Sequence, residues 1–375
     1  MPRAGYDEVV LVTGYPTFGA RHLVSRILED EPRTLVYAVV KGKLATSAEP
    51  HLASLTAEQR DRLVLLDGDA AHMDLGLSGA EIRKLVGEVD RIHHAAQVTY
   101  LGVDRETAEQ VNVGATREIL EIAAACKHLR ALVHHSTAFV SGDRTGLVRE
   151  DELSAGQHFR NAVEETKARA EKIVRHAGGR LPIVIVRPTL VVGDSRTGEI
   201  DRLDGPYLLV LLILSSPVEL AVPLPGRGDA PLHITPIDYV TRATHHLGRD
   251  PRAIGKTFHL LDPKPLTAKQ VFDLVARAGG KRSPRGFIPA NLTRALLHTP
   301  GLERFAKSPR AFLDQLVTPV RYDARNTEAL LAGSGIQCPP FETYVDQLVG
   351  FVRTRVEQER ERRRAAEPEV DDPLS

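Results

Sequence analysis

The tightest constraint on the fold of this chain is a rhythm. Through its first half, short apolar runs rich in β-branched residues alternate with stretches of helical periodicity. Val9–Val12, Thr34–Val40, Leu63–Leu66, Arg91–Ala95, Ala131–His135 and Ile183–Arg187 read as strands, with amphipathic segments such as Ala20–Glu29 and Ala115–Cys126 between them. Strands joined through helices close as parallel crossovers, and a parallel sheet needs helices over both faces. The pattern predicts an α/β fold, a doubly wound parallel sheet over residues 1–200. Beyond about Gly198 the rhythm breaks. Proline and glycine crowd Pro217–Pro236, a further strand is predicted at Thr257–Leu261, and helices are predicted at Thr267–Ala278 and Ala290–Leu297. Residues 201–352 read as a smaller, irregular substrate domain that returns to the sheet near 235–262. Residues 353–375 read as a charged tail, a solvated helix fraying into disorder, with i,i+4 pairs such as Glu359 and Arg363.

At 375 residues, 42% of them hydrophobic, the chain is long enough for a large nucleotide-binding domain with a smaller companion. Lysine plus arginine and aspartate plus glutamate both number 49, so no global field steers it toward nucleic acid or an anionic membrane. That balance favours a small-molecule or carrier-bound substrate. Cys126 and Cys338 are the only cysteines, too few for a disulfide framework or a cysteine-built zinc site, and they fit a reducing cytoplasm. The pairs His93-His94 and His134-His135 sit at strand ends, where neighbouring side chains point to opposite faces, so core or cleft lining is expected and no metal site. The apolar run Val9–Val12 is too short for a signal peptide. The longest one, Leu208–Leu214, falls far short of the roughly 20 residues needed to span a bilayer and suits a buried or lid helix over the substrate.

The first strand ends in Thr13-Gly14-Tyr15-Pro16-Thr17-Phe18-Gly19-Ala20-Arg21, and a helix pattern follows at once. Such a turn points free backbone N–H groups and the positive end of a helix dipole past the sheet edge, which suits a pyrophosphate. A strand–helix connection with no ligand is the plain alternative. The second strand ends in Lys41-Gly42-Lys43 with no acid at its tip. A carboxylate there would serve the ribose 2′-hydroxyl of NAD(H) and repel a 2′-phosphate, so the cations favour NADP(H) over NAD(H), with Lys41 and Arg21 as the clamp.

Several short motifs then fall in a recognisable order: His93-His94-Ala95-Ala96-Gln97-Val98, Asn112–Thr116, Ser136–Gly142, Phe159–Glu171, Val186-Arg187-Pro188-Thr189 and Pro236–Val240. Together they resemble the extended short-chain dehydrogenase/reductases. Leu75-Gly76-Leu77-Ser78 after Gly68-Asp69, and Ser136–Val140, are most similar to the thioester-reductase and fatty acyl-CoA reductase, or male sterility, branch. The resemblance implies a Rossmann-like nucleotide-binding domain. It implies cofactor contacts from the turn residues Thr13, Gly14, Pro16, Thr17, Phe18 and Arg21, although Thr17 replaces the family's middle glycine and Ala20 its last. Gly68 and Asp69 would meet the adenine, Ala95 and Ala96 would leave room for the dinucleotide, and Pro188 and Thr189 would contact the nicotinamide carboxamide. Thr137 would hold the substrate carbonyl oxygen, and Lys167 the nicotinamide ribose.

One departure divides the functional expectation. Where the family carries a tyrosine four residues before the lysine, this chain carries Val163, which cannot donate a proton. Water or Tyr100 replaces the donor, or a thioester substrate needs little proton help because thiolate leaves readily, or the chain binds NADPH without turnover. The expectation is an NADP(H)-dependent oxidoreductase acting on an apolar carbonyl or on an acyl thioester carried by CoA or an acyl carrier; a homodimer is compatible with it. A non-catalytic NADP(H)-binding module is the alternative, and a sugar-nucleotide epimerase or dehydratase a third.

Overall fold

The computed structural model describes residues 5–100, 102–203, 206–215, 224–225, 228–283, 287–288 and 318–366. The predicted doubly wound sheet is present. Its strands are β1 (Glu8–Tyr15), β2 (Thr34–Val40), β3 (Leu63–Asp67), β4 (Arg91–His94), β5 (Ala131–His135), β6 (Ile183–Pro188) and β7 (Thr257–Leu260), in the order β7-β6-β5-β4-β1-β2-β3. Every neighbouring pair is parallel. The chain winds outward in one direction through β2 and β3 and in the other through β4 to β7, so the winding reverses between β1 and β4, where such sheets open a crevice at their carboxyl edge.

The principal helices are α1 (Phe18–Asp30), α2 (Gly79–Glu88), α3 (Ala115–Ala125), α4 (Ala162–Ala177), α5 (Pro206–Ser215), α6 (Ile237–Arg249), α7 (Ala268–Ala278) and α8 (Val345–Ala366). Alternation along the strands decides which helix each face receives. Val10 and Val12 of β1 pack with Val36 and Ala38 against Leu23, Val24 and Ile27 of α1. Val9 and Leu11 turn the other way, with Ile92 and Leu132, onto Leu85 of α2, Ile119 and Ile122 of α3 and Val174 of α4. α6 joins the face of α1, burying Ile237, Val240, Ala243 and Leu247 against Val133, Val184 and Val186. Each such aliphatic side chain contributes about 1.5–3 kcal/mol by leaving water. Capping fixes where the helices begin: Ser78 with Glu81 and Thr267 with Gln270 form reciprocal boxes at α2 and α7, and Asn161 accepts from the Glu164 N–H at α4.

Two compact units divide the chain. One comprises Met1–Val192, Ala230–Pro265 and Thr318–Pro339 and holds the sheet; the other comprises Gly193–Asp229, Leu266–Val317 and Pro340–Ser375. Within the second unit α5, α7 and α8 pack on one another. A helix is present where the charged tail was expected to begin: α8 runs unbroken through Arg353 to Ala366, and the Arg355 guanidinium donates to the carbonyls of Ile200 and Asp201, each at 2.7 Å. The fork of one arginine satisfies two loop carbonyls, which ties the helix down. The helix expected over Ala290–Leu297 and the end of the tail from 367 onward lie outside the described residues. Among the described residues no helix is long and apolar enough to cross a membrane.

Candidate active site

The carboxyl edge of the sheet is built around Gly14. Its φ is +84°, in the left-handed region that suits glycine, and a Cβ there would stand 2.4 Å from the Ala95 carbonyl oxygen and 2.6 Å from the Ala96 nitrogen. β1 therefore reaches its turn in direct backbone contact with the Ala95-Ala96 step beyond β4. Thr13 is fully buried and knits this junction: its hydroxyl accepts from the Ala96 N–H (3.2 Å) and pairs with His94 Nδ1 (2.9 Å). The Thr17 N–H closes the turn on the Gly14 carbonyl at 3.0 Å, and α1 starts at Phe18. Unlike α2, α4 and α7, α1 has no side-chain cap, and its first turn carries no acid. Its leading N–H groups remain available to an anion, with the dipole in support. Thr17 is exposed, Pro16 is buried, and Phe18 stacks edge-on with His22 at 4.5 Å. Behind the turn, Tyr15 and Ser25 hold the two ring nitrogens of His51 at 2.7 and 2.8 Å.

At the next strand tips, Lys41 forms an ion pair with Asp69, which also pairs with His72 at 3.0 Å and accepts from the Ala71 N–H at 3.1 Å. Burial raises the Asp69 carboxyl, but these bonds hold it below its ordinary value. Gly68 is sterically required, since a Cβ would lie 2.5 Å from the Leu75 carbonyl oxygen. That carbonyl accepts from the Asp69 N–H at 2.7 Å, so the Leu75-Gly76 loop folds back onto the residues predicted to meet adenine. The two residues predicted separately, as phosphate clamp and adenine contact, are thus in direct contact with each other.

α4 carries the predicted catalytic lysine. Lys167 is 2% exposed; its Nζ donates to Gln97 Oε1 and, at 2.5 Å, to the His135 carbonyl. Burial pushes its ammonium down to about 7, against the pull of the Glu171 carboxylate one turn later. Val163, one turn earlier on the same helix, is buried and apolar. The Thr137 hydroxyl makes two long bonds, accepting from the Phe139 N–H at 3.3 Å and donating to the Pro188 carbonyl at 3.4 Å. Thr189 is buried beside Thr235 at 3.4 Å. Tyr100 lies over Gly102, and neither bond of Lys167 goes to it.

Behind these groups sits a buried ion network. Glu171 and Arg187, both fully buried, share two bonds at 2.6 and 2.9 Å; Arg175 adds a third at 2.8 Å and the Ser136 hydroxyl a fourth at 2.6 Å. Burial would raise the Glu171 carboxyl, but the two guanidiniums keep it low. The network locks the residue before Thr137 to the helix of Lys167. The four strand-end histidines sort by face, His93 near His135 (Nδ1 to Nε2, 3.4 Å) and His94 stacked on His134 with centroids 5.7 Å apart.

Sequence reasoning quoted Gln97 within the motif His93–Val98 but gave it no role of its own, although its place one residue past the Ala95-Ala96 step, next to two residues assigned to the cofactor cleft, was a usable signal.

A family model described as male sterility protein matches residues 12–244. The chain is 25% identical over 277 residues to fatty acyl-CoA reductase wat of Drosophila melanogaster, covering 63% of this chain and 53% of that protein. It therefore spans about half the length of this relative. It is also 29% identical over 290 residues to a linear gramicidin synthase of Brevibacillus parabrevis, covering 73% of this chain and 5% of that protein. Among solved structures, the terminal R domain from the myxalamid PKS-NRPS biosynthetic pathway superposes with a TM-score of 0.79 at 26% identity, over 94% of this chain and 92% of that one. UDP-glucuronic acid 4-epimerase from Bacillus cereus, in complex with NAD, gives 0.68 at 20% identity over 93% and 98%, a likeness of fold alone.

Proposed function

This chain belongs to the male sterility protein family, a branch of the extended short-chain dehydrogenase/reductases that bind a nicotinamide dinucleotide, and on that premise we propose that it reduces acyl thioesters with NADPH. The observation that carries the proposal is the buried Lys167 amine, fixed by the His135 carbonyl and Gln97 on the helix that the ion network ties to Ser136-Thr137. The bound dinucleotide supplies the hydride. The uncapped first turn of α1 holds its pyrophosphate, and Ala95 and Ala96 leave space for it. Lys41, with Arg21, takes the 2′-phosphate by exchanging its Asp69 partner for the new anion. Lys167 positions the nicotinamide ribose. The Thr137 hydroxyl, held only by long bonds, turns to the substrate carbonyl. The thioester is presented on CoA or an acyl carrier in the cytoplasm.

The test has two parts: fluorescence titration with NADPH and NADH, then NADPH consumption across acyl thioesters and aldehydes. NADPH binding at least tenfold tighter than NADH, with consumption on a thioester, is the expected result; no association with either dinucleotide at millimolar concentration overturns the proposal. A second reading, a dinucleotide-binding module without turnover, is favoured by buried, apolar Val163 in the proton donor's place. It predicts binding with no consumption, and turnover gained only in Val163→Tyr.

A further inference from the structure

The geometry points to Gln97 as the hydrogen-bond donor that receives the substrate's carbonyl oxygen in place of the tyrosine this chain lacks. The inference rests on the reductase reading and deepens it. Lys167 Nζ donates to the Gln97 carboxamide oxygen, which turns that oxygen toward the lysine. That orientation fixes the other end. Nε2, with two N–H groups, faces away from Lys167 and has no hydrogen-bond partner among the described residues. Gln97 itself is half-buried.

The residue is held firmly. The next residue, Val98, donates its N–H to Asn112 Oδ1 at 2.8 Å and accepts from Asn112 Nδ2 at 3.4 Å. Asn112 in turn donates to Thr166 Oγ1 at 2.9 Å, beside Lys167 on α4. Two parallel links, Gln97 to Lys167 and Val98 through Asn112 to Thr166, therefore join the loop after β4 to the helix that carries Val163. A donor pre-set by its surroundings needs no reorganisation as charge develops on an oxygen. The hydrogen bond from Lys167 to the amide oxygen further polarises the N–H groups, most when the lysine is protonated.

A neutral amide stabilises an oxyanion but delivers no proton, and a thioester asks for none at that atom. Hydride from the reduced nicotinamide adds to the carbonyl carbon and the π pair moves to oxygen, where Gln97 holds it. The pair then returns, the C–S bond breaks, the aldehyde forms, and the departing thiolate takes a proton from water. Reduction of an aldehyde would leave an alkoxide that must be protonated, so the arrangement favours release at the aldehyde.

Gln97→Ala and Gln97→Glu in the full chain, assayed with decanoyl-CoA and NADPH, test this. The carboxylate of Gln97→Glu would keep an oxygen for Lys167 and lose the donor. Both variants are expected to lower kcat by about 10²- to 10³-fold, with the NADPH dissociation constant, read by nicotinamide fluorescence, within about twofold of wild type. Adding Val163→Tyr to Gln97→Ala is expected to recover at least tenfold. If Gln97→Glu keeps wild-type kcat, the residue only positions Lys167 and the inference fails. If Gln97→Ala keeps it, the inference fails alone while the reductase reading stands. A wild type that binds NADPH and reduces no thioester overturns both.

Discussion

Lowering the pH of the ligand-free protein from 7 to 5 should unfold it through its buried histidines. Among those that burial holds below their ordinary range, His94 and His259 fall to about 3, and His51, His233 and His245 to about 4. The contacts of His259 show why the neutral form is required. Its Nδ1 donates to the Asp323 carbonyl at 2.7 Å, which leaves Nε2 as acceptor for the Arg187 guanidinium at 3.2 Å; a second ring proton would face that cation. A histidine whose folded pKa lies below its unfolded value of about 6.5 contributes fully above that pH and loses its contribution as pH falls, because only the unfolded chain takes up the proton. At pH 5 each of these five loses about 2 kcal/mol, so together they lose about 10 kcal/mol, comparable to the roughly 5–15 kcal/mol stability of a whole domain. Near pH 5 the unfolded state should hold roughly 4.5 more protons on these rings, a slope of about 6 kcal/mol per pH unit. Urea unfolding followed by circular dichroism at intervals between pH 5 and 7.5 measures the summed slope, to which His93, His134 and His135, also lowered by burial, add, and which Glu8, Glu150 and Glu164, raised by burial, oppose. Uptake of one proton or fewer would refute the reasoning, because it would mean the rings are charged or hydrated in the folded state. Lys167, at about 7 in the fold, adds a slope of the same sign only above pH 7.

Three further outcomes are expected. Gly14→Ala forces both a left-handed alanine and a backbone overlap with Ala95, and should cost about 2–5 kcal/mol in urea unfolding while weakening dinucleotide binding in the same fluorescence titration. Arg187→Met leaves Glu171 buried with one guanidinium fewer and should destabilise by about 3–5 kcal/mol, read as a lower urea midpoint. Lys41→Ala should weaken NADPH about tenfold, near 1.4 kcal/mol, with NADH unchanged in parallel titrations.

Continuous apolar runs in β1 and β2 and the helical spacing of α1 and α3 specify the sheet, its parallel sense and its two covered faces, because burial on both sides of a strand leaves a mark on every residue. Glycine ahead of a helix start likewise marked the turn between β1 and α1, since only a residue without Cβ tolerates Ala95 at that distance. The substitution at Val163 was legible for the same reason: it sits at a fixed helical offset from Lys167. α6 was legible only as the motif at Pro236–Val240, although its apolar stripe continues to Leu247.

Other features have no local signature. Gln97 and Lys167 are 70 residues apart, and Arg187 and His259 are 72 apart. A glutamine in a loop or an arginine in a strand looks alike whether it meets solvent or a buried partner. Composition and periodicity determine which residues leave water, so the sequence by itself settled the layers. Which polar atoms meet once those layers close depends on strand register and on how closely α4 approaches the loop beyond β4. Only the tertiary structure decided that the Lys41 cation faces Asp69, that Glu171 meets the Ser136 hydroxyl, and that the Gln97 amide oxygen meets Lys167.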